Sequence, residues 1–325
     1  MEELLTLSQL YAEGKVGLEA AGFKRLLPPE AALGTSSTVN RAYLDSLFFT
    51  PRFLSSAKAD TTSTILGVPV SAPVFCGPMS GWNQLGTTTL EECARGLKYA
   101  GSMLMLGIGG SDELQRAIDS GVPVIKVVKP YRNTDLIFQK LEDAESRGCV
   151  AVGMDIDHFH GRLKGDLADL TDTFAPQSDD TMRKAVAHTR LPFIIKGVLG
   201  VDDGRKAVEL GARAIVVSNH GRASLDCATP SVVALSDVVA AVGSQIEVYV
   251  DTGFKTGNDV VKGLALGARA VGFASSVLLA WGAGREAGVR RFVELLAAEM
   301  QRTMSALGCS DCESLSHMKL RQILV

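Results

Sequence analysis

The sequence predicts a (β/α)8 barrel, and three observations carry that expectation. Eight short apolar runs rich in β-branched residues recur along the chain without internal polar alternation, as parallel strands buried on both faces require. Amphipathic segments of helical length alternate with them, at about 20–35 residues per unit. Polar residues emerge where the runs end: Phe193–Ile195 runs into Lys196 and Gly197, and Ala214–Val217 into Ser218, Asn219 and His220. In parallel α/β folds, ligands and chemistry sit at the carboxyl ends of the strands.

Residues 1–65 form a short N-terminal helical extension, and residues 66–325 form the barrel. The extension holds a helix over Glu3–Ala12, a stretch punctuated by glycine and proline, a helical segment near Val39–Phe48, and Pro51-Arg52-Phe53-Leu54 leading out. Strands are expected at Pro73–Cys76, Ser102–Leu106, Pro123–Val128, Val150–Ile156, Phe193–Ile195, Ala214–Val217, Glu247–Val250 and Ala270–Ala274. Helices at Leu90–Ala100, Asp112–Ser120, Asp135–Arg147, Asp203–Leu210 and Asn258–Leu266 are each followed by glycine, the preferred residue just past a helix end. The segment from His158 to Gln177 is long enough to be a lid, and Ser178 is placed to cap the helix that begins with Asp179 and Asp180. An open doubly wound sheet would show a GxGxxG loop at its first helix; Gly107-Ile-Gly-Gly has the wrong spacing and reads as a rim loop.

At 325 residues and 46% apolar content, the chain supports one large core with decorations. The net charge of −3, with no long run of one sign, leaves no footprint for a nucleic-acid backbone. The first residues carry acids ahead of their apolar positions, unlike a secretory signal, and no apolar stretch reaches the ~18 residues of a membrane span. A cytoplasmic protein with no membrane partner is therefore expected. Six cysteines do not make a disulfide framework in a chain this long. Cys309 and Cys312 have the spacing of a redox or zinc pair, but a second pair of ligands is missing, which favours an incidental pair in a helix-terminal turn.

On the barrel reading, the strand ends deliver one set of groups to one rim: Met79 and Ser80, Gly107, Lys126, Asp155 and Asp157, Lys196, Ser218 to His220, Asp251, and Ala274 to Ser276. Asp155 and Asp157 with His158 and His160 invite a metal reading, but a hard cation needs more oxygen ligands than this rim supplies, so no metal is expected. Buried carboxylates are normally paired, so Asp155 is expected to meet Lys126 one strand away and Asp157 to orient a histidine. A lone histidine at a strand end usually bonds a backbone carbonyl. Asp157 on the same rim makes His220 instead a candidate base, held in one tautomer by a carboxylate. The loops Asp251–Gly257 and Gly272–Ser276 end the last two strands, where barrels commonly cradle a phosphate.

Together these residues resemble the FMN-dependent 2-hydroxy-acid oxidase and dehydrogenase family, which includes glycolate oxidase, lactate oxidase and mandelate dehydrogenase. Ile195-Lys-Gly-Val198, Val217-Ser-Asn-His-Gly221 with Leu225-Asp226, and Asp251-x-Gly-x-x-x-Gly257 with Ala265-Leu-Gly-Ala268 look like its successive signatures, and Thr50-Pro-Arg-Phe-Leu54 like its entry to the barrel. The resemblance implies FMN as cofactor, His220 as active-site base, Asp157 as its partner and Lys196 beside flavin N1 and O2. It implies further that Asp251, Gly253 and Gly257 hold the ribityl phosphate end, Pro78, Met79 and Ser80 the ring edge, and Gly107 and Ser218 parts of the flavin surround. It also implies a homo-oligomer, a tetramer.

The departures from the family pattern point to an atypical substrate. Arg222 directly follows Gly221, and Ala223 stands where a carboxylate-binding arginine is expected; Leu163 replaces the second such arginine, and Val128 a catalytic tyrosine. Arg222, Arg162 and His158 are then the candidate substrate contacts, with His160 beside them. Lys126 and Asp155 replace a glutamine and a threonine that contact flavin, and Thr252 replaces a glycine. Ala274 and Ser275 replace a glycine-arginine pair that holds phosphate, a loss for which Lys255 is placed to compensate. The expected function is an FMN-dependent oxidoreductase acting on a hydroxy or carbonyl substrate. The alternatives are a flavin-dependent isomerase of the type II isopentenyl-diphosphate isomerase kind and a barrel that binds without catalysis.

Overall fold

A computed structural model describes residues 6–23, 34–82, 86–159, 163–164, 167–168, 173–221, 225–318 and 320–323. Eight parallel strands close into a barrel: β1 (Val74–Met79), β2 (Met103–Leu106), β3 (Val124–Val128), β4 (Ala151–Asp155), β5 (Phe193–Val198), β6 (Ala214–Val217), β7 (Glu247–Val250) and β8 (Ala270–Phe273). Consecutive strands are neighbours, and β8 pairs with β1 to close the ring. The (β/α)8 expectation is met, and each strand lies where its apolar run predicts, to within a few residues.

Period-two alternation splits the strand residues into two cores. Phe75, Met103, Met105, Ile125, Val127, Ala151, Ile194, Ala214, Val216, Tyr249 and Ala270 fill the barrel interior. Ile65 and Val70, from the antiparallel hairpin Ser63–Val70, close its amino end. Leu104, Leu106, Val124, Val128, Val152, Met154, Ile215 and Val217 point outward into the layer shared with the helices. Each such side chain contributes about 1.5–3 kcal/mol on burial, so the parity of a strand residue is strongly determined.

The helices are α1 (Leu7–Ala20), α2 (Thr35–Ser46), α3 (Thr89–Tyr99), α4 (Ser111–Asp119), α5 (Thr134–Ser146), α6 (Asp179–Ala187), α7 (Val201–Glu209), α8 (Ser231–Val242), α9 (Gly257–Ala265) and α10 (Ser275–Leu307, broken at Gly284 and Arg285). Ser178 caps α6 as expected, its Oγ accepting the Thr181 N–H at 3.2 Å.

Two expectations for the extension need correction. The first helix runs on to Ala20 through two glycines that look like breaks: a Cβ on Gly14 would lie 2.1 Å from the Leu279 carbonyl oxygen, and one on Gly17 1.9 Å from that of Gly282. They are there because α10 packs directly on the α1 backbone. The second helix stops at Ser46, where Leu47–Phe48 turns into a strand paired antiparallel with Arg321–Gln322.

The His158–Gln177 segment carries secondary structure of its own, since Leu163–Lys164 pairs with Leu167–Ala168. Cys309 and Cys312 lie in the turn after α10 as free thiols, and burial pushes the Cys312 thiol up to about 12.

Candidate active site

The carboxyl ends of β4 to β7 converge on a buried cluster of charges. Parallel register sets Lys196 of β5 directly beside Asp155 of β4. Lys196, 2% exposed, places its Nζ 3.0 Å from Ser218 Oγ, 3.3 Å from Asp155 Oδ1 and 3.5 Å from Asp251 Oδ2. Burial opposes its charge, but Asp251 and Asp155 outweigh burial and hold the ammonium above the usual lysine range. Asp155 is fully buried; despite that burial, Lys129 and Lys196 hold its carboxyl well below the usual range.

After Lys196 the ladder shifts by one residue at Gly197, whose φ of 105° suits glycine. The shift makes room for Asp157, which has left the strand for a 3-10 turn over Ile156–His158. His220 sits at φ 53°, with its N–H donating to Ser218 Oγ at 3.1 Å. Its Nδ1 lies 3.1 and 3.2 Å from the two Asp157 oxygens and 4.0 Å from Asp155 Oδ1. Burial works against the charge of Asp157, and the facing His220 more than offsets it, leaving the carboxyl low. With Nδ1 engaged, Nε2 is the ring nitrogen left for a substrate.

His158 stands beside this pair, its ring centroid 5.2 Å from that of His220 and 5.7 Å from that of Phe174. Burial, reinforced by Lys129 and His220, pushes it down to about 3, so the ring is neutral, and its buried Nδ1 has no partner among the described residues. Asp155, Asp157 and His220 bring ligand atoms within 4.8 Å of one another. Lys129 and Lys196 already supply the positive charge that a cation would bring to Asp155.

Lys126 lies on the other face of its strand. It has the outward parity of Val124 and Val128, donates to the Gly107 carbonyl at 2.5 Å, and is pushed down to about 8 by burial and by Lys140 of the helix layer. The expected Asp155–Lys126 pair does not form; Asp155 Oδ2 pairs instead with Lys129 Nζ at 2.5 Å. Val128 is likewise outward, and Val127 is the residue facing the interior. Lys129 lies one residue past the apolar run Pro123–Val128, so the run alone does not reveal it; counting on by two from the inward Ile125 and Val127 reaches it.

The rim is completed by two further groups. Gly107 N–H donates to the Met79 carbonyl at 3.0 Å and Ile108 N–H to Ser80 Oγ at 2.7 Å, joining the ends of β1, with Pro78, and of β2. Beyond β7, Thr252 and Gly253 are both left-handed, at φ 75° and 86°, and Thr252 Oγ1 donates to Asp251 Oδ1 at 2.9 Å. Helix α2 holds this turn: Asn40 Nδ2 donates to the Thr252 carbonyl at 3.4 Å, and Arg41 to the Gly253 carbonyl at 2.9 Å and to both Asp259 oxygens at 2.8 and 2.9 Å. Ser37 Oγ reaches the Gly221 carbonyl at 3.4 Å, so the same helix also ties the loop after His220. Nothing in the local sequence of α2 signals these contacts, which span about 180–220 residues.

Gly257 is a packing position. Its N–H donates to Glu299 Oε2 at 2.7 Å, and a Cβ there would meet the Leu296 carbonyl oxygen at 2.4 Å. Lys255 is exposed, and its carbonyl accepts from the Tyr11 hydroxyl. At the start of α10, Ala274 provides no side-chain cap, Ser275 is half-buried, and Ser276 Oγ lies 3.2 Å from the Tyr11 hydroxyl. Arg162, Arg222, Ala223, His160 and the side chain of Leu163 lie outside the described residues.

The comparisons with known proteins agree with this geometry. The family model for FMN-dependent dehydrogenases matches residues 27–170 and 167–322. The chain is 33% identical over 310 residues to 4-hydroxymandelate oxidase of Amycolatopsis orientalis, covering 85% of this chain and 87% of that one. It is 29% identical over 319 residues to glycolate oxidase 3 of Arabidopsis thaliana, covering 87% and 86%. A solved structure of an arginine-to-leucine variant of mandelate oxidase with 2-hydroxy-phenylacetamide superposes with a TM-score of 0.89 at 29% identity, over 99% of this chain and all of that one. A structure of mandelate oxidase with benzoyl-formic acid gives the same score, identity and coverage. The chain belongs to the FMN-dependent dehydrogenase family, among relatives that oxidise 2-hydroxy acids.

Proposed function

We propose that this protein is an FMN-dependent 2-hydroxy-acid oxidase or dehydrogenase in which His220 is the base. The observation that carries the reading is the His220–Asp157 pair set beside the buried Lys196, three side chains from separate strand ends brought to one barrel mouth.

The residues fit FMN. Asp155 Oδ1 is a buried acceptor engaged by Lys196 Nζ at 3.3 Å, with a lone pair left suited to a ring N–H, and Lys196 is a buried cation suited to the electron-rich edge of the ring. The uncapped start of α10 and the left-handed turn at Thr252 and Gly253 offer backbone N–H groups to a phosphate. Met79, Ser80 and Gly107 would border the ring. Bound FMN supplies the two-electron acceptor.

The protein's part is to place and hold protons and charge. His220 Nε2 accepts a proton from the substrate, and Asp157 at Nδ1 stabilises the resulting imidazolium without itself becoming protonated. Lys196, fixed by Ser218, Asp155 and Asp251, sets a positive charge in place before reaction, which avoids reorganisation during it. His158, buried beside His220, helps to shield the base from water.

A cytoplasmic homo-oligomer completes the reading. Six free cysteines fit a reducing compartment, and the exposed Phe53 and Leu54 provide apolar surface for a subunit contact. Light scattering on the purified protein measures the assembly. For the chemistry, FMN-loaded protein is mixed without oxygen with glycolate, lactate and (S)-mandelate in turn. Loss of the visible flavin bands with one of them is expected; failure of the protein to take up FMN overturns the reading.

A further inference from the structure

Lys129 directly follows β3, continues the inward parity of Ile125 and Val127, and is 4% exposed. Its ammonium has three donors, and Asp155 takes one of them; among the described residues the other two have no partner. Asp155 is itself divided between Lys129 at 2.5 Å and Lys196 at 3.3 Å, so it does not belong to Lys129 alone. Next to these groups, His158 keeps a buried Nδ1 without a partner, with its ring 5.2 Å from that of His220. Buried donors and acceptors in folded proteins are nearly always satisfied, and a group of exceptions beside a candidate base calls for an occupant.

We propose that Lys129 and His158 form the binding site for the carboxylate of a 2-hydroxy acid, Lys129 as a charged donor and His158 as a polar contact, holding the hydroxyl-bearing carbon next to His220. The proposal rests on the oxidase reading above. It assigns the substrate's anionic group to a lysine that strand parity brings inward. Because Asp155 joins Lys129 to Lys196 and lies 4.0 Å from His220 Nδ1, a carboxylate at this site sits one ion pair away from both the base and the cation of the flavin side.

The test reads binding without turnover. FMN-loaded protein is titrated with benzoylformate and with its neutral amide, benzoylformamide, and each dissociation constant is taken from the change in the flavin spectrum. Lys129→Met should weaken benzoylformate by tenfold to a hundredfold and benzoylformamide by less than threefold, and His158→Phe should weaken both. Since Lys129→Met leaves Asp155 with one cation fewer, the double variant Lys129→Met with Asp155→Asn is measured alongside and should keep the same selective loss. Equal losses for the two probes, or none, overturn the assignment of Lys129 and leave the oxidase reading standing. A wild-type protein that takes up no FMN, or whose spectrum responds to neither probe, overturns both.

Discussion

A Cβ placed on Gly197 would lie 2.8 Å from both Cβ and Cγ of Asp157, so the bulge in β5 and the carboxylate that orients His220 are one packed unit. Gly197→Ala therefore has two effects. It forces a left-handed φ of 105° on an alanine, at about 1–3 kcal/mol, and it pushes Asp157 from its place. The rate of flavin reduction by substrate should fall at least tenfold, with a loss of a few degrees in Tm. Stopped-flow absorbance and differential scanning calorimetry read the two effects separately.

Arg41 joins the extension to the turn after β7. Its bidentate pair with Asp259 and its bond to the Gly253 carbonyl are charge-assisted and mostly shielded, so Arg41→Ala should cost about 2–3 kcal/mol. FMN affinity should drop about tenfold or more as the turn loosens, since a factor of ten corresponds to only about 1.4 kcal/mol. Arg41→Lys should not restore it, because one ammonium cannot bridge two carboxylate oxygens and a carbonyl in that geometry. Quenching of FMN fluorescence on binding measures the affinity.

His158 gives the fold an acid-sensitive step. Unfolded, it takes up a proton near 6.5; folded, it does so only at about 3. Between those values the unfolded chain binds more protons, so stability falls as the pH is lowered, by at most about 1.4 kcal/mol per pH unit for this residue. Asp155 and Asp157, both held below their usual range, add a loss of the same sign below about pH 4. Lys196 acts at the other end: its contribution is intact below about pH 10.5 and is lost only as the pH rises further. His158→Gln should flatten the decline in the urea midpoint between pH 6.5 and 4.

The barrel was legible because its strands are buried on both faces. A run such as Ala214–Val217 has no other place to go, and the polar residues that end it must face the mouth. For that reason Lys196, Ser218 and His220 could be placed on one rim from sequence, and Asp157 with them. Lys126 could not: the run Pro123–Val128 is apolar on both sides of it, and only the interior partners of Ile125 and Val127 show which face is inward. The clamp from α2 was invisible for another reason. Arg41 and Asp259 are 218 residues apart, and no local pattern encodes such a pair. Gly14 and Gly17 looked like breaks because the backbone of α10, which requires them, comes from the far end of the chain.

The most direct test of the central claim is anaerobic reduction of bound FMN, followed by stopped-flow absorbance, in the wild-type protein and in His220→Asn with whichever 2-hydroxy acid bleaches the wild type. Removing the base should slow reduction by about a hundredfold or more while the dissociation constant for FMN changes little, since general base catalysis typically contributes 10²–10⁴-fold. Undiminished reduction in His220→Asn would contradict the account.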